Sequence, residues 1–405
     1  IELRGPDVGI LLDRVYANTF STLPVGKARY GVMCREDGMV MDDGTTARLG
    51  PDRWIMTTTT ANAAKVHQHL EFCLQVLWPD LDVVTASVSE RWAQISISGP
   101  KARDTLARVV DAAAVIAPEV FPYMGAVETT VMGGVTARLF RLSFAGELGW
   151  EIAVPADRGE ALARALLAAG AEFGITPYGL EALAVMRIEK GHVSGPELNG
   201  QTTAADLGMG RMAPTKKDWI GRVMAARPGL VDPNRPGFVG FRPVDRSQRL
   251  SAGAHLLEQG ATATTADDRG WISSATWSPT LGHAFGLGFL AGLGRGGVVV
   301  APVELDALHH GGHRHLAHQA VQFGIGLELL QGRGELPDLF VQGLHQPRQL
   351  LEALLAVGQA GLVGLQQVQG PLGPQQALGL VRTQGLGSGD GRQGVDDVQA
   401  RVLGG

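Results

Sequence analysis

The sequence predicts an α+β fold, and three observations support this. Short strand-like runs, such as 53–58, 94–97 and 138–143, are separated by helix-like stretches. The elements come in mixed order, without the sustained βαβ repeat that builds a doubly wound sheet. Hydrophobic residues make up 45% and charged residues 19% of the 405-residue chain, a balance typical of globular proteins with sizeable cores.

The first predicted elements are a strand over residues 1–4 and a β-hairpin, in which strand-like segments flank the turn Glu36-Asp37-Gly38. The second segment carries Asp42 and Asp43. Since neighbouring side chains of a strand point to opposite faces, only one of the two can face a given pocket. A carboxylate against an apolar wall is a candidate proton acceptor or cation stabiliser, and the alternative is that both aspartates close a surface turn.

Four helices are predicted farther along the chain. The first begins at Gly99-Pro100, because proline is tolerated in a first helical turn, and runs to Val110. The second spans 157–173 and the fourth 216–227. The third would end at Gly191, and its apolar residues fall on one face: Leu180, Leu183, Ala184 and Ile188.

The C-terminal part divides into two regions. Residues 237–290 show strand patterns with tight turns, which predicts a small β-barrel. From about Gly294, Gly, Leu, Gln and His dominate, and Lys, Asn, Met, Trp, Tyr and Cys disappear. This region is either a low-complexity tail or, as we favour, a GC-rich gene read in the wrong frame or strand. Six histidines between His309 and His345 have spacings that could ligate zinc, but we expect no metal site there.

Composition also limits the partners. A net charge of −5 provides no broad basic field, so we expect neither nucleic acid nor membrane as a partner. No apolar run approaches the ~18 residues of a membrane span. The only two cysteines, Cys34 and Cys73, exclude a disulfide framework and suit a reducing cytoplasm. The sequence carries no dinucleotide fingerprint, so we expect no flavin or nicotinamide site in this chain.

Two further constellations contain candidate binding residues. In the first, a glycine-rich bend over 143–149 leads into a strand, and Glu147 and Glu151 flank Trp150. A carboxylate there can accept the parallel N–H bonds of a pterin head, and the alternative is a bend with solvated glutamates. In the second, Arg187 lies near a helix end, where it can pair with an acidic residue or with a ligand anion.

These pieces, in this order, resemble the aminomethyltransferase family. The family includes the T-protein of the glycine cleavage system and C-terminal domains of sarcosine oxidase alpha subunit, dimethylglycine oxidase and dimethylglycine dehydrogenase. The resemblance covers about residues 1–290, and its segments look most similar to sarcosine oxidase alpha: DRVYANTFSTLPVGKARYG, MTTTTANAAKVHQHLEF, PYGLEALAVMRIEKG, DLGMGRMAPTKKDWIGR and SSATWSPTLGHAFGLG.

The resemblance implies roles for individual residues. Asp43 matches the essential aspartate held near the reactive nitrogens of tetrahydrofolate, Glu151 the carboxylate that binds the pterin, and Tyr30 an aromatic position in the folate pocket. We add to this folate site the residues singled out above: Asp42, Arg187 and Glu147.

The chain also departs from the family. Leu183 stands where T-proteins have a folate-binding arginine, so glycine-cleavage activity is disfavoured. About 50 residues of the family's N-terminal region would precede Ile1, so we expect the chain to be a fragment. The implied organisation is a truncated folate-binding domain over 1–213, a β-barrel domain over 214–293 and the low-complexity part over 294–405.

The resemblance implies that a flavin site elsewhere, in missing or partner parts of a sarcosine oxidase hetero-oligomer, oxidises sarcosine. This domain would then transfer the one-carbon unit to tetrahydrofolate, giving 5,10-methylenetetrahydrofolate. The alternatives are a T-protein and a non-catalytic module that binds folate or docks subunits. One folate-binding family with this fold carries Lys-Gly-Cys-Tyr, whereas His192 and Val193 follow Lys190-Gly191 here.

Overall fold

The computed structural model describes residues 1–258, 261 and 263–292, together with two strands over 300–305 and 320–323. The histidines predicted not to form a metal site, and most of 294–405, lie outside these residues. The α+β prediction is confirmed, because helices and antiparallel sheets occur in mixed order along the chain.

The first sheet contains five antiparallel strands in the order β2-β3-β4-β1-β5. Their bounds are β1 Glu2–Arg4, β2 Lys27–Cys34, β3 Val40–Gly50, β4 Arg53–Met56 and β5 Val84–Ala86. Helices α1 (Val8–Val15) and α2 (Ala63–Phe72) contribute to the core on one face of this sheet, and α2 continues as a π-helical turn over Cys73–Leu77. The predicted hairpin is confirmed: β2 pairs with β3, and Gly38 adopts a positive φ of 86° in the turn between them.

The second sheet has the order β6-β9-β8-β7 and is also antiparallel. Its strands are β6 Trp92–Ser98, β7 Ala126–Val131, β8 Val135–Phe140 and β9 Gly149–Pro155. Helices α3 (Ala102–Leu106) and α4 (Gly159–Gly170) pack against it. The helix predicted to reach Val110 ends at Leu106, because Val110 instead forms a β-bridge with Val131 at the sheet edge.

The other faces of the two sheets meet. Ala28, Ala47 and Ile55 of the first sheet form one buried cluster with Phe140 and Leu142, at and just beyond the end of β8. Small alanines on one side and a large aromatic ring on the other allow this close approach. This contact determines which side chains of the two sheets face each other.

Helix α5 (Leu180–Lys190) ends as predicted at Gly191, which adopts a left-handed φ of 75°. Ile188 is buried with residues of β2 and of the C-terminal strands, but Leu180 is 80% exposed, so the predicted apolar stripe is buried only at one end. Two short helices follow, α6 (Arg222–Ala225) and α7 (Pro228–Val231).

The prediction of one helix over 216–227 is wrong, because only four of its residues are helical. Gly221 adopts a left-handed φ of 91°, and a side chain there would collide with the carbonyl oxygen of Arg35. A helix cannot continue through such a position, so the chain turns against the hairpin instead.

The last sheet contains the strands predicted within 237–290. They are β10 Gly237–Pro243, β11 His255–Glu258, β12 Asp268–Ser278 and β13 His283–Leu290, and β13 pairs antiparallel with both β10 and β12. Strands β14 (Val300–Leu305) and β15 (Ala320–Phe323) run parallel to β10 and β11, respectively.

Candidate functional site

Two adjacent carboxylates on β3 form the centre of the candidate site. Asp42 is buried, and its oxygens accept hydrogen bonds from Asn62 Nδ2 at 2.9 Å and from the Thr59 backbone N–H at 3.2 Å. Asp43 is half-buried and accepts from the Tyr30 hydroxyl at 2.6 Å and from Thr59 Oγ1 at 3.4 Å. Because they alternate along the strand, Asp42 is held within the protein while Asp43 shares a face with Tyr30.

Burial governs the protonation of this cluster. Desolvation raises the pKa of Asp43, and the negative charge of Asp42 raises it further. The pKa of Asp42 is also raised by burial. Burial and the Asp43 charge raise the pKa of the Tyr30 hydroxyl, which therefore stays protonated and donates to Asp43. A carboxylate of raised pKa is a stronger proton acceptor than an exposed one.

Glu151 lies on β9 in the second sheet and is half-buried. Gln94 Nε2 donates to one of its oxygens at 2.6 Å, and this is the only hydrogen bond that its carboxylate makes within the described residues. Burial raises the pKa of Glu151. The carboxylate can therefore accept further N–H bonds from a ligand.

The strand registers place Asp43 and Glu151 on facing surfaces. Asp43 and Ala47 are four residues apart on β3 and so share a face. Glu151 is the direct cross-strand partner of Phe140, which places both on one face of the second sheet. Since Ala47 and Phe140 belong to the same buried cluster, both carboxylates lie on the sides of their sheets that meet.

The end of α5 connects the hairpin to the glycine-rich bend. The imidazole of His192 lies 5.7 Å from the Tyr30 ring and 5.1 Å, edge to face, from the Phe144 ring in the bend. Lys190 Nζ donates to the Ser143 carbonyl oxygen at 2.5 Å. Tyr30, the partner of Asp43, and the bend that leads into β9 are thus joined through one short segment.

The remaining predicted residues differ in their surroundings. Arg187 is buried and donates to Glu197 at 3.0 Å, to Ser274 Oγ at 2.6 Å and to the His192 carbonyl oxygen at 3.2 Å. Its charge is thus already paired within the protein. Glu147 is exposed in the bend. A folate contact by either residue stays a prediction.

Sequence reasoning missed Thr59, Asn62, Gln94 and His192. Thr59 and Asn62 follow β4 in a polar run that shows no periodicity, and Gln94 is one of several polar residues on β6. The local sequence distinguishes His192 only by its difference from a Lys-Gly-Cys-Tyr motif. In each case the role depends on a contact with a residue distant along the chain.

Three buried donors in and beside the bend have no hydrogen-bond partner among the described residues: Arg141 Nε, Ser143 Oγ and Trp150 Nε1. Unpaired buried donors are costly, and they mark places where a polar ligand can complete the hydrogen bonding. Over the residues that the structure describes, no cluster of three or more His, Cys, Asp or Glu could hold a metal ion. Within the same part of the chain, no helix is long and apolar enough to cross a membrane.

Residues 1–217 match the family described as the GCVT N-terminal domain. The chain belongs to this aminomethyltransferase family. The resemblance found in the sequence motifs is thereby confirmed. The structure of the glycine cleavage system aminomethyltransferase T from Bartonella henselae is similar with a TM-score of 0.60 at 22% identity, covering 72% of this chain and 75% of that one, which supports the fold.

The GCVT-family relatives fall into two groups. The sarcosine oxidase subunit alpha of Rhizobium meliloti (strain 1021) is 52% identical over 289 residues, 71% of this chain and 29% of that protein. The subunit of Corynebacterium sp. (strain P-1) is 42% identical over 72% of this chain and 30% of its own length. An aminomethyltransferase of Corynebacterium aurimucosum is 31% identical over 76% of this chain and 80% of its own length. The chain thus spans under a third of the first two relatives.

Proposed function

We propose that this chain is the folate-binding part of a sarcosine oxidase alpha subunit. It transfers the one-carbon unit of oxidised sarcosine to tetrahydrofolate, giving 5,10-methylenetetrahydrofolate. The observation that carries the proposal is the half-buried Tyr30–Asp43 hydrogen bond, on a sheet face that meets the face bearing Glu151. The 52% identity to a sarcosine oxidase subunit alpha favours this activity over the T-protein reaction.

Asp43 is the proton acceptor in this proposal. When bound, tetrahydrofolate supplies the nitrogen nucleophiles that take up the one-carbon unit. Asp43 accepts a proton at a carboxylate oxygen or stabilises positive charge nearby, and its raised pKa suits the first task. Tyr30 and Thr59 fix the orientation of its carboxylate through their hydroxyl groups.

Glu151 holds the pterin ring in this proposal. Its carboxylate has spare acceptor capacity, and an ionised acceptor forms stronger hydrogen bonds than a neutral one. The buried hydroxyl of Ser143 lies in the bend that leads into the same strand and has no hydrogen-bond partner among the described residues, so it is a candidate donor to the ligand.

The complete protein would include parts that this chain lacks. We propose that flavin and NAD belong to those parts or to partner subunits of a hetero-oligomer, because the chain covers only 29% of its sarcosine oxidase relative. We also propose the division into 1–213, 214–293 and 294–405. The pairing of β14 with both β10 and β15 supports closure of the last sheet into a small barrel.

The decisive experiment places Asp43→Asn in the assembled oxidase. Sarcosine is supplied with tetrahydrofolate, and hydrogen peroxide, formaldehyde and methylenetetrahydrofolate are measured. We expect peroxide production to stay unchanged, while the methylenetetrahydrofolate yield falls at least ~10²-fold, on the scale of a lost general base, and formaldehyde replaces it.

The matched control is Asp52→Asn, which changes an exposed aspartate in the turn between β3 and β4. It should leave all three products unchanged. Equal methylenetetrahydrofolate yields from wild type and Asp43→Asn would overturn the role of Asp43. Tetrahydrofolate that neither binds the wild-type protein nor alters its products would overturn the proposed function altogether.

A further inference from the structure

His192 occupies the junction between the two halves of the candidate site. Its ring contacts Tyr30, the partner of Asp43, on one side and Phe144 of the bend on the other. The side chain is half-buried. Neither ring nitrogen forms a hydrogen bond to any residue in the part of the chain that the structure describes, whereas the backbone N–H and carbonyl of His192 are both bonded to Arg187.

The charges around this imidazole favour its neutral form. Burial, then Lys190 and then Arg187 lower the pKa of His192 to about 4, against a smaller opposing effect of Glu197. On its other sides the ring meets the Tyr30 hydroxyphenyl and Phe144, which carry no charge at neutral pH. A neutral imidazole offers one N–H donor and one acceptor nitrogen.

Packing alone does not explain why a histidine occupies this position. Phenylalanine would complete an aromatic row between Tyr30 and Phe144 without any polar atom. A half-buried imidazole with no protein partner loses part of its hydration and gains no hydrogen bond in return. A ligand that supplies the missing hydrogen-bond partner would offset this cost.

We propose that His192 is a tetrahydrofolate-binding residue that exchanges a hydrogen bond with the ligand through a neutral ring nitrogen. This inference rests on the proposed function and extends it to a residue that neither the sequence motifs nor the relatives single out. The aromatic contacts on both sides hold the ring in place beside Tyr30, the hydrogen-bond partner of Asp43.

The test compares three variants of the full chain by titration with tetrahydrofolate, followed by tryptophan fluorescence. His192→Phe keeps the ring and removes both nitrogens, and we expect the Kd to rise about 3- to 12-fold, the scale of one neutral hydrogen bond. His192→Gln retains a donor and an acceptor and should recover much of this loss. The control His67→Phe, at a half-buried histidine on α2, should bind like wild type.

A second measurement needs no substitution. In the wild-type chain labelled with ¹⁵N-histidine, bound tetrahydrofolate should shift one ring nitrogen resonance of His192. A tetrahydrofolate analogue that has the same pteridine but no carboxyl group should shift the same resonance.

The outcomes separate the two proposals. Equal affinities of wild type and His192→Phe, or unshifted His192 nitrogens at saturation, would overturn this inference and leave the proposed function intact. Failure of the wild-type chain to bind tetrahydrofolate would overturn both.

Discussion

Asp43, the proton acceptor of the proposed function, is also a residue whose charge reduces stability. Its pKa is raised by burial and by Asp42, so the folded protein holds a proton there more tightly than the unfolded chain does. The free energy of unfolding therefore falls as the pH rises through and above the ordinary value of 3.8. At neutral pH the ionised carboxylate is a source of instability.

The first prediction follows from this decrease in stability with rising pH. Asp43→Asn should raise the melting temperature near pH 7 by roughly 2–4 °C, the shift that ~1 kcal/mol causes in a domain of this size. The gain should shrink as the pH is lowered toward the ordinary carboxyl value of 3.8, because the folded wild-type protein takes up its proton above that pH. Thermal melts of wild type and Asp43→Asn between neutral and acidic pH test this prediction, with Asp52→Asn as the control. A gain that is independent of pH would contradict the electrostatic cause.

The second prediction concerns the buried pair Arg187–Glu197. Glu197 has no exposed surface and accepts hydrogen bonds from Arg187, Ser273 and Ser274. Glu197→Ala would leave a buried guanidinium uncompensated, so we expect a loss of about 3–5 kcal/mol in the free energy of unfolding. Urea unfolding provides the measurement.

Its control is the surface pair of Arg164 and Glu160, one turn apart on α4, whose side chains are 52% and 60% exposed. Glu160→Ala should cost at most ~1 kcal/mol. Similar losses for the two substitutions would show that burial does not set the strength of the Arg187–Glu197 pair.

Among the elements, the short helix α6 shows how a tertiary contact overrides a local pattern. The sequence over 216–227 has helical spacing, yet Gly221 turns the chain toward Gly38 at the tip of the hairpin. Gly38 and Gly221 both have positive φ, and neither leaves room for a side chain. Nothing in the local sequence reveals that the hairpin tip lies there.

The third prediction distinguishes the cost of a left-handed backbone from the cost of a steric collision at Gly221. Gly221 and Gly253 have φ values of 91° and 84°, but a side chain at Gly253 would have no neighbour within 4 Å. Gly253→Ala should therefore cost only the ~1 kcal/mol of a left-handed alanine, whereas Gly221→Ala should cost several kcal/mol more through its collision with Arg35. Chemical unfolding measures the loss in the free energy of unfolding for both variants. Equal losses would exclude a collision at Gly221.

For the molecule as a whole, the C-terminal boundary of the folded part can be tested by truncation. The predicted boundary after residue 293 assigns β14 and β15 to the low-complexity part, yet both pair with the last sheet. The fourth prediction tests this boundary: if the folded part ends at residue 293, a chain ending at Leu293 should melt within about 2 °C of the full chain, because removal of a segment outside the fold changes stability little.

A chain ending at Phe323 is the matched comparison, because it retains both strands. If the chain ending at Leu293 melts much lower and the chain ending at Phe323 melts like the full chain, the boundary is wrong and the two strands stabilise the sheet. Sequencing the parent gene would show separately whether 294–405 is read in the correct frame.

The sequence alone determined the α+β class, the hairpin, the end of α5 at Gly191 and the family, because local patterns and ordered motifs carry these features. It also singled out Asp43, Tyr30 and Glu151, through the resemblance. It placed the ends of α3 and of the helix over 216–227 wrongly, since pairing with Val131 and packing against the hairpin overrode local preference.

Only the tertiary structure decided which groups meet. The Tyr30–Asp43 bond, the part of Thr59 in holding both aspartates, the pairing of Arg187 with Glu197 and the position of His192 all join residues distant along the chain. Periodicity reports the face on which a side chain lies, but not what packs against that face. Burial and charge in the assembled core then determine how each group titrates.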